Sequence, residues 1–286
     1  MKLSGAGKCA GVIGWPVSQA FSPRLHGYWL TEYGIDGALV PLAVRPEDFS
    51  TVVHAMRLSG FKGASITMPH KEAAFALAHE HDAAAEVAGA ANLLVFREDG
   101  KIEGHNTDAH GLAASITEIL GNDTLRGKKV VLLGAGGAAR AAIVALNELG
   151  ASEIRIVNRH VARAESLVAG IGPRVHTKLS ASAFTDWPKA AADTALLINA
   201  TSAGMKNLNI LDLPLDPLPA TAAVCDVVHT PLETELLKRA RARGHVTIDG
   251  LGMLMHQGVP HFQAFFGIEP KVTPHLRDTL VKQIYG

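Results

Sequence analysis

Lys71 and Asp108 are the residues whose type and setting first suggest proton chemistry. Lys71 closes the run Thr67-Met68-Pro69-His70-Lys71, which follows Gly63-Ala64-Ser65-Ile66, a stretch that reads as a strand, and it opens a helix beginning Glu72-Ala73-Ala74. An ammonium group gains nothing from a helix N-terminus, whose dipole favours anions. A solvated surface lysine would explain the residue if the stretch stood alone. The strand, however, delivers it to a C-terminal sheet edge, where open α/β sheets bind ligands. Asn92 heads another apolar run, 90–96, and Glu98-Asp99-Gly100-Lys101 makes a hairpin turn after it. The return strand ends in Gly104-His105-Asn106-Thr107-Asp108, directly before a helix expected over 109–120. Asp108 reads as an N-cap or as a catalytic partner, and the two roles are compatible.

The elements that must hold these groups alternate strand and helix. Residues 10–13 form a strand, Gly14-Trp15-Pro16 breaks it, and 17–21 make a loop. Ser22 then caps a helix over 24–34, with Pro23 at its first position. A second strand over 38–44, a second helix over 46–58 and the strand 63–67 follow. Such alternation predicts a parallel α/β sheet.

A second site is legible further on, in Lys128-Lys129-Val130-Val131-Leu132-Leu133-Gly134-Ala135-Gly136-Gly137-Ala138-Ala139-Arg140. This is an apolar strand running into a glycine turn and a helix. Gly134 allows the tight turn, Gly136 lets the backbone approach a pyrophosphate, and Ala139 takes the third small position. The free N–H groups of Gly137, Ala138 and their neighbours at the helix start would hold the phosphates. At the end of the next strand, 153–157, an NAD enzyme carries an acidic residue for the ribose 2′-hydroxyl. This chain has Asn158-Arg159-His160 and then Arg163. Cations there suit a 2′-phosphate, so the expected cofactor is NADP.

At 286 residues the chain suits two domains. Its 27 basic and 27 acidic residues balance, which gives no electrostatic case for nucleic acid or an anionic membrane. No run reaches the ~18 apolar residues of a membrane span. Cys9 and Cys225 lack metal or redox spacing, so a reduced, cytoplasmic setting is expected. His79 and His81 have no third ligand at zinc spacing, and no metal is expected.

Taken in order, several motifs resemble the shikimate dehydrogenase family over most of the chain: Gly14-Trp15-Pro16, Phe21-Ser22-Pro23 with His26, Ile66-Thr67-Met68-Pro69-His70-Lys71, Asn92, Asn106-Thr107-Asp108, the glycine turn, Asn158-Arg159 with Arg163, Ile198-Asn199-Ala200-Thr201-Ser202-Ala203-Gly204-Met205, Asp226-Val227-Val228 with Pro231 and Thr234, and Gly250-Leu251-Gly252-Met253-Leu254 with Gln257. The resemblance implies a substrate domain over 1–108 and a Rossmann-type NADP domain over 109–249. Helices over 252–266 and 274–285, in the segment 250–286, would return to the substrate domain. It implies reduction of 3-dehydroshikimate to shikimate by NADPH in the cleft between domains. Lys71 and Asp108 would be the catalytic pair, because a carbonyl receiving hydride develops negative charge that a positioned ammonium stabilises and protonates. Ser22, Thr67, Asn92 and Gln257 match substrate-holding positions. Thr201, Ser202 and Met205 match a loop near the nicotinamide ribose, and Val227 and Gly250 match further cofactor positions. The partners implied are a small cyclic hydroxy acid and a second copy of the chain in a homodimer.

Three positions depart from the family pattern: Ala20 where a serine is usual, Ser65 where an asparagine is usual, and His229 where a tyrosine is usual. The first and third belong to the family's carboxylate grip, so His229 is carried as a substrate-binding residue of altered chemistry. A related acid of the quinate or aminoshikimate type is therefore the alternative substrate. A catalytically idle NADP sensor is a third reading, disfavoured because Lys71 and Asp108 are both present.

Overall fold

The structure is a computed structural model and describes residues 3–205, 208 and 210–285. In chain order the elements are β1 (Lys8–Gly14), α1 (Ser22–Glu32), β2 (Gly37–Ala43), α2 (Phe49–Leu58), β3 (Gly63–Ile66), α3 (Lys71–Leu77), β4 (Glu80–His81), α4 (Ala83–Ala88), β5 (Leu93–Phe96), β6 (Ile102–His105) and α5 (Asp108–Leu120). There follow β7 (Lys129–Leu133), α6 (Gly137–Glu148), β8 (Glu153–Val157), α7 (Val161–Ile171), β9 (Lys178–Ser182), α8 (Trp187–Ala191), β10 (Leu196–Asn199), β11 (Ala223–Asp226), α9 (Glu235–Ala242), β12 (Thr247–Ile248), α10 (Gly250–Phe266) and α11 (Pro274–Tyr285). Two compact units result: Met1–Thr107 with Gln257–Gly286, and Asp108–His256. The division thus falls inside α10, seven residues beyond the expected boundary at 250.

The first unit is built on a six-stranded sheet in the order β2-β1-β3-β5-β6-β4. It is parallel across β2, β1 and β3, and the expected hairpin then adds β5 antiparallel to both β3 and β6. β4, which the sequence pattern did not disclose, is a two-residue strand parallel to β6. Short strands with so little apolar alternation leave no periodicity to read. Buried Ile13, Val53, Ala64, Leu94 and Ile102 make the core under this sheet, each large side chain contributing roughly 1.5–3 kcal/mol by leaving water.

The helix over Ser22 starts one residue earlier than expected. Phe21 takes the cap position with φ −89° and ψ −12°, and its carbonyl accepts from Arg24 N and Leu25 N at 3.0 and 3.1 Å. Ser22 is therefore the first helical residue and its hydroxyl does not cap the helix.

The second unit is an all-parallel sheet in the order β12-β11-β10-β7-β8-β9. Counted from β7, this is the 3-2-1-4-5-6 doubly wound arrangement of dinucleotide-binding folds. The continuous apolar runs of β7 and β10 follow from burial on both faces, with Val131, Leu133 and Leu197 wholly enclosed. Among the described residues no helix is long and apolar enough to cross a membrane.

Candidate active site

β3 ends at Ile66, and the turn that follows carries Thr67 and then Lys71, the first residue of α3. His70 anchors this turn from inside. Its Nε2 lies 2.8 Å from the Val44 carbonyl, and its ring stacks on Phe49 with centroids 4.8 Å apart. Thr67 and Lys71 are partly exposed. The Lys71 carbonyl accepts from Ala91 N at 2.9 Å, which fixes the lysine backbone to the head of β5.

Asn92 sits at that head, buried. Its Oδ1 accepts from Thr107 N at 2.8 Å, and its Nδ2 donates to Thr107 Oγ1 at 3.1 Å and reaches Gln257 Oε1 at 3.5 Å. The expected substrate residues Asn92 and Gln257 are thus brought together through Thr107, which also donates to the Gln257 carbonyl at 3.1 Å. Asp108 follows Thr107 directly and is buried as the first residue of α5. Ser22, half-buried, begins α1.

Sequence reasoning missed His261. Its Nε2 lies 2.8 Å from Thr107 Oγ1 and its Nδ1 2.6 Å from Ser65 Oγ. Burial pushes its pKa down to about 3, helped by the positive charges of Lys71 and His105. One signal could have found it: Gln257 and His261 are i and i+4 on α10, and therefore share a face. His105 is shifted the other way, its pKa raised by the Asp82 carboxylate 3.4 Å away.

In the second unit the glycine turn has the geometry its spacing implied. Gly134 has φ +106°, and a Cβ there would stand 3.0 Å from Thr201 Cγ2 and 3.1 Å from the Ala200 carbonyl oxygen, so only glycine fits. A Cβ on Gly136 would meet nothing within 4 Å, which leaves its backbone open to a ligand. Ala139 is fully buried at the third small position.

A cavity of about 920 Å³ opens beside this turn. Of the expected cofactor residues it is lined by Gly134, Ala135, Gly136, Asn158, Arg159, Arg163, Thr201 and Ser202. Arg159 and Arg163 are exposed at its rim. Gly137 and Ala138 form the first turn of α6, whose leading N–H groups have no partner within the helix. These residues fit a dinucleotide: a small-residue turn, a helix N-terminus for phosphates and two cations for a 2′-phosphate. Ala183, Phe184, Leu208 and Ile210 also line the cavity, and no motif announced them. Met205, Val227 and Gly250 lie outside that lining. Val227 and Gly250 are nevertheless neighbours, since a Cβ on Gly250 would overlap the Val227 carbonyl.

A buried carboxyl organises the loops after β10 and β11. Asp226 Oδ1 accepts from Asn199 Nδ2 at 3.0 Å and Val228 N at 3.1 Å, and its Oδ2 accepts from Thr234 Oγ1 at 2.7 Å. Asn199 in turn accepts from Thr201 Oγ1 at 2.7 Å and donates to the Ala203 carbonyl at 3.1 Å. Burial raises the Asp226 pKa to about 6 against these three donors. His229 is shifted downward by burial. Cys225 is buried and its thiol pKa is raised, first by burial and then by Asp226 and Asp249. Among the described residues no group of three or more His, Cys, Asp or Glu could hold a metal ion.

A doubly wound sheet with this turn and these cations, joined in one chain to a sheet presenting a lysine and a carboxamide–hydroxyl network, defines a two-unit nucleotide-dependent oxidoreductase. Two family models match, the shikimate dehydrogenase substrate binding domain over residues 12–94 and shikimate / quinate 5-dehydrogenase over 112–228. The chain is 47% identical over 278 residues to a shikimate dehydrogenase (NADP(+)) of Paramagnetospirillum magneticum, covering 96% of this chain and 98% of that one. It superposes with a TM-score of 0.89 on shikimate 5-dehydrogenase from Listeria monocytogenes in complex with shikimate and NAD, at 30% identity and 98% coverage of each chain. With the Thermus thermophilus shikimate 5-dehydrogenase in complex with NADP(H) and shikimate the TM-score is 0.83, at 30% identity, covering 97% of this chain and 99% of that one. The chain belongs to the shikimate dehydrogenase family.

Proposed function

We infer that this chain is an oxidoreductase catalysing the NADP-dependent, reversible reduction of 3-dehydroshikimate to shikimate. The observation that carries the reading is the co-occurrence of Lys71 with the Thr107–Asn92–Gln257 network in one unit and, in the other unit, of Asp108 at the start of α5 with a glycine turn rimmed by Arg159 and Arg163.

NADPH, when bound, supplies the hydride. Gly134 to Ala138 and the start of α6 hold its phosphates, while Arg159 and Arg163 engage the 2′-phosphate with charge-assisted hydrogen bonds. Asn158, Thr201, Ser202, Met205, Val227 and Gly250 complete the cofactor set. Lys71 stabilises the negative charge that gathers on the substrate oxygen and passes it a proton from Nζ. Asp108 orients the lysine and accepts from the neighbouring ring hydroxyl. Ser22, Thr67, Asn92, Gln257 and His229 position the acid and its hydroxyls, so the reacting carbon is presented in one orientation.

Ala20 and His229 weaken the expected carboxylate grip, which keeps a related cyclic acid as the second reading. The deciding experiment measures NADP-dependent oxidation of shikimate, quinate and aminoshikimate side by side. Shikimate should show the highest kcat/KM. A higher value for either other acid transfers the assignment to it, and tight NADPH binding without turnover of any of them supports the sensor. The domain limits 1–108, 109–249 and 250–286, a cytoplasmic location and assembly as a homodimer belong to the same proposal. Light scattering on the purified protein tests the last.

A further inference from the structure

The polar contacts around Thr107 determine more than its own orientation. Thr107 Oγ1 has one proton and two lone pairs. It lies 3.1 Å from the Gln257 carbonyl oxygen, 3.1 Å from Asn92 Nδ2 and 2.8 Å from His261 Nε2. A carbonyl can only accept and an amide nitrogen can only donate, so the Thr107 proton goes to an oxygen, the Gln257 carbonyl at 3.1 Å or Asn92 Oδ1 at 3.3 Å, and one lone pair goes to Asn92 Nδ2 in either case. The remaining lone pair must be met by a donor, which makes His261 the Nε2–H tautomer. Its Nδ1 then accepts from Ser65 Oγ at 2.6 Å. The opposite tautomer would send the Thr107 proton to the ring and leave the Thr107 and Gln257 oxygens facing each other at 3.1 Å with no hydrogen between them. The links from Ser65 to His261 and from His261 to Thr107 thus have one donor–acceptor assignment. Burial keeps the ring from exchanging these bonds for water.

We propose that His261 is a positioning residue: with Ser65 as its anchor, it fixes the Thr107 hydroxyl and, through it, the Asn92 carboxamide, whose Nδ2 in turn reaches Gln257 Oε1 at 3.5 Å, so that both side chains meet the substrate ring in one arrangement. The proposal rests on the functional reading above and deepens it. It also gives the departure at Ser65 a physical role. An asparagine at 65, the residue usual in the family, is larger than serine and would compete with the imidazole for the space between β3 and α10. Ser65 and His261 therefore act as a pair, a small hydroxyl accommodating a large ring.

The neutral ring suits its neighbourhood. Lys71 and His105 both oppose a proton on His261, so the network holds a single charge state across the working pH range. An imidazolium would force Ser65 to turn its proton away and add a cation behind Asn92. A neutral donor–acceptor ring does the orienting without changing the charge of the site.

The test uses the full-length chain with NADPH and the substrate it turns over best. His261→Leu removes both bonds and should raise KM for the cyclic acid about tenfold or more, while kcat falls less than about threefold and KM for NADPH stays within about twofold. His261→Gln can donate to Thr107 and accept from Ser65, and should restore KM to within about threefold of wild type. Ser65→Ala should raise it about two- to fivefold. A merely structural role would move the melting temperature without this KM-against-kcat split and without glutamine rescue. A folded His261→Leu protein with unchanged KM overturns the proposal, as does His261→Gln no better than His261→Leu. Should His261→Leu fail to fold, an unchanged KM in Ser65→Ala overturns it. Nitrogen-15 NMR of the ring reads the tautomer without any turnover: Nε2–H supports the assignment and Nδ1–H overturns it. A wild type inactive on every cyclic acid would sink the functional reading while the NMR result still decides the positioning.

Discussion

The first unit takes neutral polar groups out of water, and the second takes a carboxyl. In the first, His261 and His26 are buried with depressed pKa values, and the cationic Lys71 stays at the partly exposed edge. In the second, Asp226 is wholly buried with its pKa raised to about 6, and Arg159 and Arg163 stay outside. Both patterns serve positioning, but they respond to acid in opposite senses. A buried histidine with a lowered pKa contributes stability that is full above the ordinary imidazole value of about 6.5 and is lost as pH falls toward its folded value. A buried aspartate with a raised pKa contributes stability that is full below about 3.9 and is lost as pH rises through about 6. Between about pH 4 and 6 the two networks therefore pull the stability curve in opposite directions, by at most about 1.4 kcal/mol per pH unit for each titrating group.

The division of labour between the units is broken or upheld most directly at Lys71. Lys71→Ala should lower kcat roughly 10²-fold or more, the range of lost general acid–base catalysis, and leave NADPH affinity within about threefold. Stopped-flow rates with fluorescence titration of NADPH check both. More than a tenth of the wild-type kcat would remove Lys71 from the chemistry, and a large loss of NADPH affinity would show that the units do not work separately.

Arg159→Ala is the counterpart in the second unit. A charge-assisted hydrogen bond is worth about 1.5–3 kcal/mol, so NADPH should weaken roughly 10- to 150-fold while NADH, which has no 2′-phosphate, changes little. Titration with both cofactors gives the ratio. Equal losses would assign Arg159 to the fold rather than to the phosphate.

What could be read in advance differs between the units for the same physical reason. The nucleotide unit binds with backbone, and backbone demands leave marks on the sequence: Gly134 must be glycine for its φ of +106° and for the approach of Thr201 and Ala200. β7 was legible because burial on both faces makes it continuously apolar. The substrate unit works with side chains brought from distant segments, and a hydrogen bond spanning 196 positions, as between Ser65 and His261, has no local signature. Lys71 and Asp108 were placed by their strand ends, whereas for His261 the spacing to Gln257 gives the shared helix face but not the partners Ser65 and Thr107. The cavity wall at Phe184, Leu208 and Ile210 was missed because ordinary apolar residues in irregular chain carry no periodicity. Asp226 and Thr234 were visible as a motif, but that they clamp the loops after β10 and β11 depends on a burial no spacing reveals.

Asp226→Asn sharpens the contrast in pH response. Asparagine keeps the oxygen that accepts from Asn199 and Val228 and removes the titrating group, and Thr234 can turn to accept from the new amide. The fall in stability of the second unit between about pH 4 and 6 should disappear, leaving a curve that only rises with pH under the influence of the histidines. Hydrogen exchange of β10 and β11 amides, compared with those of β1 and β3 at several pH values, resolves the units separately. Parallel pH dependences for wild type and variant would show that Asp226 does not titrate in this range.

The smallest effect is expected at His229, a second-unit residue that the family resemblance assigns to the substrate rather than the cofactor. If its ring were cationic it could replace the missing donor at Ala20 by charge, and shikimate affinity would improve as pH fell. Burial lowers its pKa, so the cationic form arises only below the ordinary imidazole range. Between pH 6.5 and 8 the residue is therefore a neutral donor, and KM for shikimate should vary less than about threefold through this group. The gain should begin only below the ordinary imidazole value of about 6.5. His229→Tyr should abolish that acid-side gain and leave the neutral-pH KM nearly unchanged. Ala20→Ser should improve KM at every pH, because a hydroxyl donor does not titrate. Profiles of KM against pH for the two single variants and the double variant separate these contributions. A steep improvement in wild-type KM already between pH 8 and 7 would mean that His229 carries a proton there, that substrate binding reverses the effect of burial, and that the second unit handles substrate charge after all.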